Sequence, residues 1–283
     1  MSAAVSNAGE QLPADPGAAT LPRARRVWRL VTVLTGMEIK LRYGDSVLGY
    51  VWTVGKPLAL FSILYVVFGR LARFGAAPPY YALYLVIGVM LWAFFSDGVT
   101  KTMGSIVSNA ALLRKLPFPR LVIPLSASLT SFITFGLSLF AIAIFIAANR
   151  LVPRLDWLVL ILELLELYLF VLGFGLILAV IHVHLRDIEQ IWELLVQLLF
   201  FLSPIIYPFT IVPTRWRQIM MLNPFTQVMQ DFRAIIIYPD HNVIVARAAF
   251  TPLRVLPLAI AAFVLAFGLY LFKREEPWLA ERI

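Results

Sequence analysis

The chain has 283 residues, of which 61% are hydrophobic and only 14% charged, with no cysteine and a formal net charge of +8. Soluble domains run at roughly 45–50% apolar and about 25% charged, so a mean hydropathy of +0.85 marks an integral membrane protein. The missing cysteines exclude disulfides, thiolate zinc sites and thiol nucleophiles, and the positive balance fits cytoplasmic loops better than a nucleic-acid surface.

Residues 1–22 are rich in Ala, Pro and Gly without apolar period, which predicts a disordered tail. A basic cluster follows at Arg23–Arg29, but no signal-type apolar core comes directly after it, so a cleaved leader is not expected. Within residues 23–47, Val27, Leu30, Val31, Leu34, Met37 and Leu41 recur at helical spacing. That pattern predicts an amphipathic helix lying at the cytoplasmic headgroups with Trp28 as its anchor, or one packed on a protein partner.

Six spans are long enough for a hydrocarbon core of about 30 Å. They fall at 48–69, 80–97, 121–148, 157–183, 188–207 and 255–272 of residues 48–283, an all-α polytopic layout. Lys and Arg crowd the amino-terminal segment and the loop after the second span, while the loops after the first and third spans carry few. Both termini are therefore expected in the cytoplasm. Between the last two spans, 208–254 holds apolar patches too short to cross. Asn223–Pro224 is a helix start with Asn as cap and Pro at the first helical position. Over 208–238 this suggests re-entrant half-helices, the alternative being an external loop packed on the surface.

The loop after the second span, Ser108–Arg120, reads SNAALLRKLPFPR. Asn109 is a candidate N-cap for a helix over Ala110–Leu116 that Pro117 stops. Leu112, Leu113 and Leu116 share one face and Arg114 and Lys115 point elsewhere. Two turns of helix are unstable alone in water, so the segment is either an ordinary basic loop or an element that docks on something.

Catalytic templates are missing. No G-x-x-x-x-G-K-[ST] loop occurs, so a nucleotide site of that type is not expected in this chain. His182 and His184 are two apart and do not share a helix face, and neither a metal site nor a catalytic triad is read. Ser126, Thr130, Thr134 and Ser138 fall four apart in the third span. Such a stripe serves either close helix approach or the lining of a polar path. Phe61 and Tyr65 in the first span, and Tyr84 and Trp92 in the second, are either interface-belt aromatics or rings facing a cavity. Lys56, Glu163 and Glu166 lie at membrane depth, where each needs a partner or water. Their depths suggest a Lys56–Glu166 pair.

These residues together resemble the permease subunits of bacterial polysaccharide ABC exporters. The resemblance rests on Arg42-Tyr43, Leu48-Gly49, Trp52 and Pro57 at the entry to the first span, and on Asn109, Leu112, Arg114-Lys115 and Phe118-Pro119 in the next loop. It continues with Arg186-Asp187, Ser203-Pro204, Tyr207-Pro208, and Asn223-Pro224 ahead of Arg233. It runs from about Arg42 to Tyr238, and Lys56 departs from it where an uncharged or acidic residue is expected. The resemblance implies a homodimer of six-span subunits with two separate ATP-binding subunits, which hold ATP and Mg, on the cytoplasmic face. It implies a coupling helix at Asn109–Pro119 aided by Arg186 and Asp187, and an interface gate helix carrying Trp28, Arg29, Arg42 and Tyr43. Tyr207, Pro208, Asn223 and Pro224 would form an outer exit gate. The cargo would be a lipid-linked glycan: O-antigen, teichoic acid, capsule or cell-wall galactan. A type-2 ABC permease for a drug or lipid, and an ATP-independent flippase or membrane glycosyltransferase, are the competing readings.

Overall fold

The computed structural model describes residues 23–43, 47–71, 80–115, 119–238 and 255–278. Ten α-helices follow in order among them: α1 Arg23–Tyr43, α2 Val47–Leu64, α3 Tyr81–Ser108, α4 Ala110–Lys115, α5 Val122–Ala148, α6 Val159–His184, α7 Ile188–Leu202, α8 Thr214–Met220, α9 Pro224–Ile237 and α10 Val255–Glu275. A π-helical turn, Tyr65–Leu71, prolongs α2, and a 3-10 turn, Leu155–Leu158, leads into α6. No strand occurs among the described residues. The chain is an all-helical, polytopic membrane protein. The expected tail at 1–22 and the 239–254 part of the expected 208–254 segment lie outside the described residues.

Five helical stretches are long and apolar enough to cross a membrane: Val51–Leu71, Tyr81–Ser108, Val122–Ala148, Leu155–His184 and Val255–Glu275. Two expectations change. The second span does not stop near Asp97 but continues as helix to Ser108, because Lys101 pairs with Asp97 one turn back and keeps both charges satisfied on the helix. The segment expected to cross at 188–207 is helical only to Leu202. Fifteen residues rise about 22 Å, short of a full apolar core.

α3 and α6 are the centre of the bundle, with α5 and α9 against both and α10 along α6. Glycine makes the closest approach possible. A Cβ added at Gly268 on α10 would lie 2.5 Å from the Gly173 carbonyl oxygen on α6, and one at Gly173 would lie 2.5 Å from the Leu265 Cα. Apolar burial does not drive helices together in lipid, so such backbone-to-backbone packing carries much of the association.

Candidate functional site

The break after α7 is where irregular backbone needs explaining, since lipid offers no hydrogen bonds to unpaired carbonyls. Four successive carbonyls each find a side-chain donor. Arg233 Nη1 donates to Pro204 O at 2.7 Å and Nη2 to Ile205 O at 2.9 Å. The Tyr81 hydroxyl donates to Ile206 O at 2.9 Å and the Tyr84 hydroxyl to Tyr207 O at 3.2 Å. Arg233 Nε adds a bond to the Tyr84 carbonyl at 3.1 Å, and its guanidinium stands 3.5 Å from the Tyr84 ring centroid. Gly88 leaves room for it, since a Cβ there would sit 2.5 Å from Arg233 Nη2. Arg233 is fully buried. One cation therefore ties α3, α9 and the non-helical segment into a single clamp.

α9 itself is buried along its whole length. Asn223 caps it as expected, its side-chain oxygen accepting the Phe225 N–H at 3.0 Å, and Pro224 takes the first helical position. Gln227 donates to both oxygens of Asp231 at 3.0 Å, which keeps another buried polar side chain bonded within the helix. Pro208 is buried as well, and Tyr207 turns its hydroxyl to Leu202 O at 2.9 Å. The sequence reading had named Tyr207, Pro208, Asn223 and Pro224. It places Arg233 only in the order of the family pattern and does not read the clamp that Arg233 builds with Tyr81 and Tyr84.

At the opposite end, α4 does not sit as expected. Asn109 closes the C-terminus of α3 instead of capping α4: its amide Nδ2 donates to Ser105 O at 2.9 Å, and its backbone N–H goes to the same carbonyl. Its own carbonyl then accepts the Leu112 and Leu113 N–H groups. Leu113 is buried in an apolar cluster with Ile106, Ile123, Leu176 and Phe272, and Leu112 packs on that cluster. The leucine face of the short helix is thus covered by its own chain. Leu116 and Phe118 lie outside the described residues, and of Arg114 and Lys115 only the helical backbone is described. Pro119 is half-buried.

Several elements converge beside α4. Arg186 and Asp187 are exposed at the turn between α6 and α7. The Arg120 backbone N–H donates to Glu276 Oε1 at 3.2 Å. His184 Nε2 lies 3.6 Å from Glu275 and His182 Nε2 3.7 Å from Glu189. The starts of α5 and α7 and the ends of α3, α6 and α10 are therefore fixed to one another at one end of the bundle.

The serine–threonine stripe of α5 divides into two halves. Ser126 Oγ and Thr130 Oγ1 donate to Glu38 on α1, at 3.4 and 2.8 Å, so this half docks the amphipathic helix onto the bundle. Trp28 and Arg29 stay exposed on α1, and the side chains of Arg42 and Tyr43 are outside what is described. Thr134 and Ser138, the other half, line a cavity of about 430 Å³ between α2, α3 and α5, together with Trp52, Lys56 and Asp97. Ser131 donates to Asp97 at 3.0 Å on its wall.

The aromatic candidates turn inward. Phe61 stacks on Tyr65 at 5.8 Å and meets Phe145 edge-on at 5.1 Å. Tyr65 stacks on Tyr81, and Tyr81 on Tyr84. Trp92 is wedged against Phe95, Phe200 and Phe225. None of Phe61, Tyr65, Tyr84 and Trp92 lines the cavity. The expected Lys56–Glu166 pair does not form either. Lys56 faces the cavity on α2, whereas Glu163 and Glu166 belong to α6, where Glu163 is buried and Glu166 Oε1 is buried with no hydrogen-bond partner.

A bundle of long apolar helices, with polar residues gathered at a cavity, a clamp and a loop platform, defines a polytopic helical membrane subunit. The chain belongs to the ABC-2 type transporter family, whose profile matches residues 29–237. It is similar to the O-antigen export system permease protein RfbA of Klebsiella pneumoniae, at 30% identity over 205 residues, covering 72% of this chain and 78% of that protein. The Myxococcus xanthus protein of the same name is 31% identical over 227 residues, covering 78% and 86%. The polysialic acid transport protein KpsM of Escherichia coli is 25% identical over 194 residues, covering 68% and 75%.

Proposed function

We propose that this chain is the permease of an ATP-driven exporter that moves a lipid-linked polysaccharide, of O-antigen or capsule type, outward across the bacterial inner membrane. The observation that carries the reading is the similarity to O-antigen export permeases over most of both chains. Two copies would form the channel. Six crossings per subunit, with α7 and the clamped Ser203–Tyr207 segment as the fifth, would put both termini in the cytoplasm, as the distribution of Lys and Arg asks. The subunit would carry no ATPase site of its own, and ATP and Mg would bind a separate subunit seated against α4 and the Arg186–Asp187 turn. With Leu112 and Leu113 turned into the bundle, helical spacing would leave positions 111, 114 and 115 for that partner. Residues 208–238 would shape the outer exit.

The test is reconstitution of the chain with its ATP-binding subunit in vesicles containing a defined lipid-linked glycan. ATP-dependent appearance of glycan on the far side is expected. Transport without the ATPase, or of hydrophobic drugs in place of glycan, would overturn the reading. Charge reversal at Arg114 should uncouple ATP hydrolysis from transport and lower glycan flux by about tenfold or more, as loss of a docking charge pair does. Unchanged flux would remove α4 from the coupling interface.

A further inference from the structure

Lys56 sits in an awkward place. It lies on α2 five residues beyond the start of the apolar span at Val51, about 8 Å along the helix, where an ammonium needs a partner or a wet cavity. Among the described residues it forms no ion pair and no hydrogen bond. Asp97, the acid on the same cavity wall, is engaged by Lys101 on its own helix and by the Ser131 hydroxyl. Its charge is therefore already matched, and the charge of Lys56 is left over.

Around that charge the cavity carries two further groups that fit a ligand. Ser138 is buried on the wall, with no hydrogen-bond partner for its hydroxyl among the described residues, unlike Thr134, which donates to the Ser131 carbonyl at 3.0 Å. Trp52, 59% exposed, presents its ring at the rim. The volume of about 430 Å³ lies within the range of roughly 300–1,000 Å³ usual for small-ligand sites. An oxyanion would take a charge-assisted bond from Lys56 and a second from Ser138, with the indole face left for an apolar or sugar-ring surface.

We infer that this cavity is a subsite for an oxyanion carried by the transported molecule, with Lys56 as its counter-charge, Ser138 as a hydroxyl donor and Trp52 as the ring beside it. The inference rests on the glycan-export reading, and the oxyanion has two possible sources: the carboxylate of an acidic sugar, or the phosphate of the lipid anchor. A purely neutral cargo would leave the ammonium without a counter-charge in the cavity. Lys56 then acts as a specificity determinant peculiar to this chain's cargo.

The experiment uses the full chain with its ATP-binding subunit in nanodiscs of neutral lipid. Calorimetric titrations compare three probes: trigalacturonic acid, farnesyl phosphate and neutral maltotriose. One of the two anions should bind about tenfold or more tightly than maltotriose, the scale of one charge-assisted hydrogen bond. Preference for trigalacturonic acid assigns the acidic-sugar source, and preference for farnesyl phosphate assigns the lipid anchor. Lys56→Gln should abolish the preference and Lys56→Arg should keep it, with thermal unfolding of each complex used to confirm folding. Equal binding of all three probes, or a preference that survives Lys56→Gln, overturns the inference. Glycan export by the wild-type pair is scored separately. Export without an anion preference removes this subsite alone, whereas an anion preference without export removes the glycan reading and leaves an anion site.

Discussion

α3 and α2 are both apolar helices of spanning length, yet 78% of the apolar stretch of α3 is buried inside the subunit and only 11% of that of α2 with its π-helical extension. The difference is not one of hydropathy, which is nearly equal in the two. It arises from what each helix touches. α3 meets α5, α6 and α9, with Gly98 and Gly88 opening its surface to Val171 and Arg233. α2 leans on α1, α3 and α5 and, with the π-helical turn that prolongs it, shows Val51, Trp52, Ile63 and Val66 to the outside. α7 resembles α2: Trp192 and Phe200 face inward, while Ile191, Leu194, Leu198 and Phe201 are exposed. The subunit thus has a fixed core and a loosely covered flank.

If that contrast is real, mutations in the core should damage the subunit itself. The largest effect is expected at Arg233. Arg233→Ala strands the carbonyls of Pro204 and Ile205 and removes an added bond to that of Tyr84, which α3 already engages. Each stranded carbonyl costs about 1–3 kcal/mol, so a loss of roughly 2 kcal/mol or more is expected, with Arg233→Lys only a partial rescue because one ammonium cannot serve all three acceptors. Thermal unfolding in detergent measures it, and a loss under about 1 kcal/mol would mean the clamp is ornamental. Next comes Gly268→Leu, which drives a side chain into the Gly173 backbone. Overpacking costs about 1–3 kcal/mol, more where the obstacle is backbone. Helix α10 should detach, seen as protease access at 255–278.

A smaller effect is expected where the core meets α1. The double substitution Ser126→Ala, Thr130→Val removes both hydrogen bonds to Glu38. Each bond to a charged group is worth about 1.5–3 kcal/mol, but the half-buried Glu38 regains water once α1 lifts, so the net loss should be near 1–2 kcal/mol. Faster amide exchange confined to Arg23–Tyr43 would register it. Exchange that quickened throughout α5 instead would show that the stripe supports the core and not the docking of α1.

Legibility from sequence follows the same division. Features set by neighbours along the chain could be read directly: five of the six expected spans by composition, the Asn223–Pro224 start by capping chemistry, and the serine–threonine stripe by its period of four. What escaped depends on partners far away in sequence. Arg233 looks like one polar residue on a short amphipathic helix, and only the approach of carbonyls 28, 29 and 149 residues away makes it the centre of a clamp. Asn109 satisfied the local rule for an N-cap, but the four orphan carbonyls at the end of α3 were nearer claimants. Leu113 was correctly placed on an apolar face, and sequence alone could not tell whether that face met a partner or its own chain. The cavity was half visible, through Thr134, Ser138 and Lys56, and was missed as a unit because its walls come from three separate helices.

The flank offers the mildest perturbation and the sharpest contrast. Ile191, Leu194, Leu198 and Phe201 recur at three- and four-residue spacing, so they form one exposed face of α7. In lipid such a face costs nothing to leave uncovered, and exposure by itself does not distinguish lipid from a second subunit. Packing does, because helices in membranes associate through fit between surfaces and not through apolarity. Leu198→Ala should therefore change the unfolding of the isolated subunit by less than about 0.5 kcal/mol, as surface substitutions do. If two copies meet along this flank, the same substitution opens a gap in their contact and lowers the dimer fraction measured in nanodiscs at limiting protein. A dimer fraction left unchanged would assign this face of α7 to lipid and move the pairing surface to the exposed side of α2, where Ile63→Ala makes the equivalent cut.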